Sequence, residues 1–174
     1  RIIEHKKEEV RKAKSEVSLQ ELMDSEFFGK PGKSLKKTLI EKSGIITEFK
    51  RQSPSKGIIN DQSDVLEVVK NYEKFGASAV SILTDKQFFG GSLEDISKVR
   101  KSVEIPILRK DFMVDEYQFY EAKSVGADVI LLIAANLSVS QVADFTALSH
   151  QMSLEVLLEI HDEEELKHIN NDVD

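Results

Sequence analysis

Glu48 and Lys50 stand two positions apart at the end of an apolar run, Ile45-Ile46-Thr47. In an extended strand, positions i and i+2 point to the same side, so both side chains would face one space. A polar stretch containing Pro54 and Gly57 follows at once. The same construction recurs at Ile107-Leu108-Arg109-Lys110-Asp111-Phe112 and at Val156-Leu157-Leu158-Glu159-Ile160-His161. Lysines and carboxylates gathered in one space suit proton transfer, and a lysine of lowered pKa can also act as a Schiff-base nucleophile. Taken singly, Lys110 or Glu159 could as easily reach out to solvent. Their recurrence at the ends of several strands is what argues for a site. His161 shares the side of Glu159 by alternation but reads as a structural residue. His5, His150 and His168 have no ligand-like spacing, and no metal site is expected. Phe88-Phe89-Gly90-Gly91 and Phe112 are aromatics placed to wall a pocket, or simply to pack a loop.

These residues need elements to position them. Residues 1–44 read as a charged helical leader, with Ile3, Val10 and Val17 repeating every seven positions. Ser18-x-x-Glu21 fits a capping box, and Ser34 could cap a third short helix ending near Glu41. The charged stretch reads as a solvated helical face. From residue 45 to 174 the texture alternates. Strands are expected at 45–49, 78–83, 106–110, 128–133 and 155–160, with helices near 64–75, 92–101, 115–124, 138–149 and 162–169. Ser92, Asp115 and Asp162 precede helices as caps. Gly76 and Gly126 follow helices, where a left-handed residue closes the end. The strands are near-continuous apolar runs, as in a parallel sheet buried on both faces.

Alternation of this kind predicts an α/β fold, either a doubly wound sheet or a (β/α)8 TIM barrel. No glycine-rich phosphate loop follows the first strand, so the barrel is favoured. Five units average about 26 residues, and eight would take roughly 210, which with the leader approaches the ~250 typical of that barrel. The sequence therefore reads as a barrel truncated after its fifth βα unit, with Asn171-Asp172-Val173-Asp174 resembling the start of a sixth strand.

Composition narrows the function. Hydrophobic residues make up 40% of the 174, enough for a packed core rather than a disordered chain. A net charge of −7 disfavours a nucleic-acid binder, while a local cluster of cations can still hold a small anion. No apolar run approaches membrane-span length, so no membrane partner is expected. Cysteine is absent, which excludes disulfides and thiolate metal sites and suits a reducing cytoplasmic compartment.

The run Glu48-Phe49-Lys50-Arg51-Gln52-Ser53-Pro54-Ser55-Lys56-Gly57 resembles the first-strand signature of the indole-3-glycerol-phosphate synthases, barrel enzymes of tryptophan biosynthesis. Leu83-Thr84-Asp85 with Phe88-Phe89-Gly90-Gly91, Leu108-Arg109-Lys110-Asp111-Phe112 and Leu157-Leu158-Glu159-Ile160-His161-Asp162 resemble the later strand ends of that family, in order and spacing. The leader motif Ile2-Ile3-x-x-Lys6-Lys7-x-Glu9-Val10 resembles the family's N-terminal helical segment. The resemblance covers essentially the whole chain.

It implies a carboxy-lyase acting on 1-(2-carboxyphenylamino)-1-deoxyribulose 5-phosphate, with indole-3-glycerol phosphate, carbon dioxide and water as products. Lys110 would be the general acid, Glu159 the base of the later dehydration, and Glu48 the residue that orients the lysines. Lys50 would hold an anionic group of the substrate. Phe89, Phe112 and Leu131 would line the ring pocket, and Ser53, Pro54 and Ser55 would form a lid in the first βα loop. No cofactor is implied, because loss of the carboxylate restores aromaticity and the substrate is its own electron sink. The family also places an asparagine at the end of strand six and phosphate-binding loops after strands seven and eight. On that basis, residues 1–174 alone are expected to be inactive and to associate through exposed barrel edges. A Schiff-base aldolase and a folded fragment without activity are the rival readings.

Overall fold

The computed structural model describes residues 1–174. Three leader helices come first: α1 (Ile2–Glu16), α2 (Leu19–Met23) and α3 (Leu35–Glu41). Ser18 opens α2 with the expected capping box, its hydroxyl accepting from Glu21 N while the Glu21 carboxylate accepts from Ser18 N at 2.8 Å. Ser34 caps α3 by accepting from Lys37 N at 3.1 Å.

The alternating part begins with β1 (Ile46–Phe49), a hairpin of β2 (Gln52–Ser53) and β3 (Gly57–Ile58), and α4 (Val65–Lys74). It continues with β4 (Ala79–Leu83), α5 (Lys86–Phe89), α6 (Leu93–Arg100), β5 (Ile107–Lys110) and α7 (Tyr117–Ser124). Last come β6 (Val129–Ile133), α8 (Val139–Gln151), β7 (Glu155–Glu159) and a 3-10 helix at Glu163–His168. All five expected strands and the four expected α-helices between them are present. The hairpin and α5 are additions that periodicity over so few residues does not reveal. The last expected helix is a 3-10 turn capped by Asp162, and residues 171–174 are not a strand. The Asp174 carboxylate instead accepts from Val156 N at 2.9 Å.

Five strands form one parallel sheet in the order β1-β4-β5-β6-β7. A doubly wound sheet reverses its order at a switch point. Here each new strand adds to the same side, which is the winding of a β/α barrel. The faces differ accordingly. Val80, Ile82, Ile107, Ile130, Leu132 and Val156 pack against Val69, Ile96, Val99, Phe119, Val142 and Phe145 of the intervening helices. The opposite face carries Ala79, Leu108, Val129 and Leu131, with Leu35 of α3 among them. Fully burying one such Val, Ile or Leu is worth about 1.5–3 kcal/mol, and a one-residue slip would exchange the two faces. The apolar pattern thus fixes the register and turns Glu48 and Lys110 away from the helices.

Two glycines are required by the path of the chain. A Cβ on Gly91 would lie 2.1 Å from Leu83 O, so only glycine lets the loop pass the end of β4. Gly126 ends the turn after α7 at φ 88°, a left-handed conformation that glycine adopts without cost.

The solvated-face reading of the leader is overturned at two positions. Val10 and Lys6 of α1 are buried, Lys6 to 1% exposure. The heptad of Ile3, Val10 and Val17 does not mark the buried stripe, since Val17 lies beyond the helix and is exposed. Lys6 is held inside by the carboxylates of Asp85 and Asp111, each 2.9 Å from its Nζ. At the other end of the sheet, the Glu155 carboxylate accepts from Leu35 N at 2.7 Å and Lys36 N at 3.1 Å. A carboxylate on the orphan donors of a helix start is favourable, and it ties α3 to β7.

Candidate active site

Parallel pairing puts the C-terminal ends of the strands on one rim. There Glu48 and Lys50, at the end of β1, meet Lys110, the last residue of β5. Glu48 Oε1 lies 2.9 Å from Lys50 Nζ, and Glu48 Oε2 lies 3.0 Å from Lys110 Nζ. One carboxylate therefore bridges two ammonium groups. All three side chains are about one-third exposed. Burial pushes the Glu48 carboxyl up, but the hydrogen bonds and charges of Lys50 and Lys110 outweigh it and hold its pKa below the usual carboxylate value. The trio is cationic overall and open to an incoming anion.

Beside it is a cavity of about 370 Å³ lined by Lys110, Phe89, Phe112, Leu131 and Glu159, with His161 and Asn136 at its edge. The Phe89 and Phe112 rings are 6.3 Å apart between centroids and inclined at 43°, so they form two walls rather than a stack. Leu83, Leu131 and Ile133 supply the floor from β4 and β6. Glu159 ends β7, and its Oε1 lies 3.1 Å from His161 Nε2. His161 thus shares the side of Glu159, as alternation predicts, and is a neighbour of the acid–base candidate at the cavity rather than a purely structural residue.

Five expected site residues, Lys110, Glu159, Phe89, Phe112 and Leu131, line this one cavity. Glu48 and Lys50 stand behind Lys110 and touch the cavity through it. Ser53, Pro54 and Ser55 do not line it. They belong to the β2–β3 hairpin, where Ser53 Oγ accepts from Lys56 N at 3.2 Å.

Sequence reasoning missed the cluster that supports the rim. Lys6 Nζ of α1 lies 2.9 Å from Asp85 Oδ2, 2.9 Å from Asp111 Oδ1 and 3.1 Å from Glu9 Oε1. Asp111 Oδ2 accepts from Thr84 Oγ1 at 2.7 Å and from Arg109 Nη2 at 3.2 Å. Asp85 Oδ1 caps α5 by accepting from Phe88 N at 2.7 Å, and α5 ends in Phe89. Burial alone would lower the Lys6 amine, but the charges of Asp111 and Asp85 keep it above its ordinary value. Burial would likewise raise Asp111, and Arg109 with Lys6 hold it down instead. Alternation sends Lys110 to the cavity and its neighbours Arg109 and Asp111 to the cluster. An aspartate one or two residues after each of two strand ends, Asp111 and Asp85, was the available signal, but its partner on α1 is remote in sequence.

No group of three or more His, Cys, Asp or Glu side chains is gathered in a way that could hold a metal ion. No helix is long and apolar enough to cross a membrane. The arrangement can donate a proton from a lysine, accept one at a carboxylate across a cavity, and hold an aromatic ring between.

Comparison with known proteins bears directly on this chemistry. The family model for indole-3-glycerol phosphate synthase matches residues 1–172. The chain belongs to the indole-3-glycerol phosphate synthase family. It is 49% identical over 174 residues to the indole-3-glycerol phosphate synthase of Bacteroides thetaiotaomicron, covering 99% of this chain and 67% of that protein. It is 46% identical over 168 residues to that of Caldanaerobacter subterraneus subsp. tengcongensis, covering 95% of this chain and 64% of that protein. For Paenarthrobacter aurescens the values are 45% over 167 residues, 92% and 61%. The chain thus spans roughly two thirds of the length of these synthases.

Proposed function

We propose that this sequence forms the first part of an indole-3-glycerol phosphate synthase acting in tryptophan biosynthesis. On this reading, residues 1–44 are a helical extension and residues 45–174 are five of the eight units of a barrel. The substrate is 1-(2-carboxyphenylamino)-1-deoxyribulose 5-phosphate.

The aromatic ring enters between Phe89 and Phe112, over Leu131. The ring carbon that bears the carboxylate attacks the ketone carbon of the sugar chain. Lys110 donates a proton to the ketone oxygen as the carbon–carbon bond forms, turning it into a hydroxyl. Carbon dioxide then departs, its bonding electrons restoring the aromatic ring. Loss of water, with Glu159 taking a proton as base, completes the indole. Glu48 keeps Lys110 and Lys50 at fixed places on the rim, and Lys50 meets an anionic group of the substrate. The chemistry asks for no external electron acceptor, because the ring itself carries the electrons. The hairpin residues Ser53, Pro54 and Ser55 serve as a lid that comes over the substrate.

The observation that carries the reading is the Glu48 carboxylate joined to Lys110 at 3.0 Å beside a cavity with two aromatic walls and Glu159. It supports the reading because a lysine, a carboxylate and a cavity with aromatic walls lie within reach of one bound molecule. The test is turnover of the carboxyphenylamino substrate by the enzyme carrying this sequence, followed by indole fluorescence. Absence of indole formation in the full-length enzyme would overturn the proposal.

A further inference from the structure

The Lys and Arg side chains buried in this protein are Lys6, Arg100, Arg109 and Lys123, and Arg100 pairs with Asp128. Lys6 meets three carboxylates, and Arg109 meets Asp111 and Glu121. Lys123, at 4% exposure, has no carboxylate within ion-pair distance. Its Nζ donates to Lys30 O at 2.7 Å. An ammonium carries three donors, and burying its charge is costly unless a counter-charge is present. Burial accordingly pushes this amine down, with the charge of Asp128 offsetting only part of the effect.

Lys123 lines a cavity of about 400 Å³ at the N-terminal end of the strands, the end opposite Lys110 and Glu159. Lys30, Lys33, Arg100 and Lys101 line it too, against only two carboxylates, Glu26 and Asp128. Both carboxylates are already occupied. Asp128 accepts from Arg100 at 2.6 Å, from Lys33 N at 2.8 Å and from Ile107 N at 2.9 Å. Glu26 is held by Lys101 at 2.7 Å and Lys30 at 3.4 Å. Lys33 pairs with Glu104, a side chain 90% exposed, so that pair is weak in water. The Lys30 and Lys101 ammoniums also converge on one ring, 4.7 and 5.8 Å from the centroid of Phe27. The cavity is therefore a pocket of positive potential around an unmatched buried cation.

We propose that this cavity is a phosphate-binding site, separate from the candidate active site, in which Lys123 is the buried anchor. It takes a phosphate group, free or as the monoester of a small sugar. Its volume lies within the ~300–1,000 Å³ of small-molecule sites and leaves room beside the phosphate for a short carbon chain. The phosphate supplies the missing counter-charge to Lys123, while Lys30, Lys101 and Arg100 ring its remaining oxygens. The inference is independent of the synthase reading.

The test is amide NMR and thermal unfolding of the full-length enzyme carrying this sequence, titrated with inorganic phosphate, ribose 5-phosphate and ribose. Saturable shifts at Lys123 and Gly126, with a rise in Tm, are expected for both phosphates and not for ribose. Tighter binding of ribose 5-phosphate than of inorganic phosphate would identify a sugar ester as the ligand, and equal binding the free ion. Lys123→Met removes a charge-assisted contact and should weaken binding about tenfold or more. Lys101→Ala, on an exposed side chain, should weaken it several-fold in a protein whose fold is not at issue. Lys50→Met should leave the shifts at Gly126 unchanged. The proposal is overturned by no saturable shift in the wild type, by unchanged affinity in both Lys123→Met and Lys101→Ala, or by shifts confined to the Lys50–Lys110 end.

Discussion

Lys110 and Glu48 are 62 residues apart in the chain, and Lys110 Nζ lies 3.0 Å from Glu48 Oε2. The contact spans β4, the strand that pairs with both β1 and β5. A carboxylate shared between Lys110 and Lys50 fixes two cations that would otherwise repel. It leaves Lys110 at the wall of the cavity.

Lys110→Met in the full-length enzyme should reduce turnover by roughly 10²–10⁴, the range for loss of a general acid or base, with substrate binding largely retained. Single-turnover kinetics and equilibrium binding separate the two. Borohydride trapping in the wild type should give no adduct on Lys110. A trapped imine would favour aldolase chemistry instead.

Glu159→Gln preserves shape at a side chain that is one-third exposed, so its Tm should stay close to that of the wild type. Turnover should fall and the acid limb of the pH profile should change, because the amide cannot accept the proton. A variant that merely unfolds would assign Glu159 to packing.

Lys6→Met should destabilise the fold by about 3–5 kcal/mol, the usual cost of stripping one partner from a buried ion cluster. Asp85 would lose its cation, while Asp111 keeps Arg109 and Thr84. Urea midpoints measure the effect. A change below about 1 kcal/mol would mean that the cluster is not a structural tie between α1 and the rim.

Asp111 and Glu48 both have folded pKa values below those of free carboxyls. Their contribution to stability is therefore complete above the ordinary values of 3.8 and 4.5 and is lost as pH falls through the lowered ones. Lys6, whose value is raised, contributes fully below 10.5 and loses its share only as pH rises through the higher folded value. Urea midpoints should thus decline in acid, and Asp111→Asn should flatten that decline. An equal acid slope in the variant would remove Asp111 from the account.

β1 and β7 each pair on one side only, leaving an open strand edge at either end of the sheet. Such edges template further pairing. The 174-residue polypeptide alone should therefore associate or aggregate, and it should show no synthase turnover. Light scattering checks the first expectation and an indole assay the second. A monodisperse monomer that makes indole would defeat both.

The sequence by itself determined the strands, their order along the chain, and most of the helix caps, because these depend on neighbours within a few residues. It also determined which side chains sit at the strand ends, and the motifs from Glu48 to Gly57 and around Lys110 and Glu159 carried the family. Tertiary structure alone decided how those ends meet. That Glu48 bridges both lysines and that Ser53, Pro54 and Ser55 stand off the cavity both follow from strand pairing and loop path. Lys6 and Lys123 make the point most sharply. Lys6 lies in a stretch rich in lysine and glutamate whose local pattern is that of a solvated helix, and Lys123 lies near the end of an amphipathic helix. Lys6 is buried because α1 packs over the ends of β4 and β5, where two aspartates meet it. Lys123 is buried because the leader loop folds back over the end of α7 and brings a carbonyl, Lys30 O, rather than a carboxylate within reach of its ammonium. Charge patterning reads a residue's own helix, whereas the cost of burying a charge is set by atoms that arrive from elsewhere in the chain.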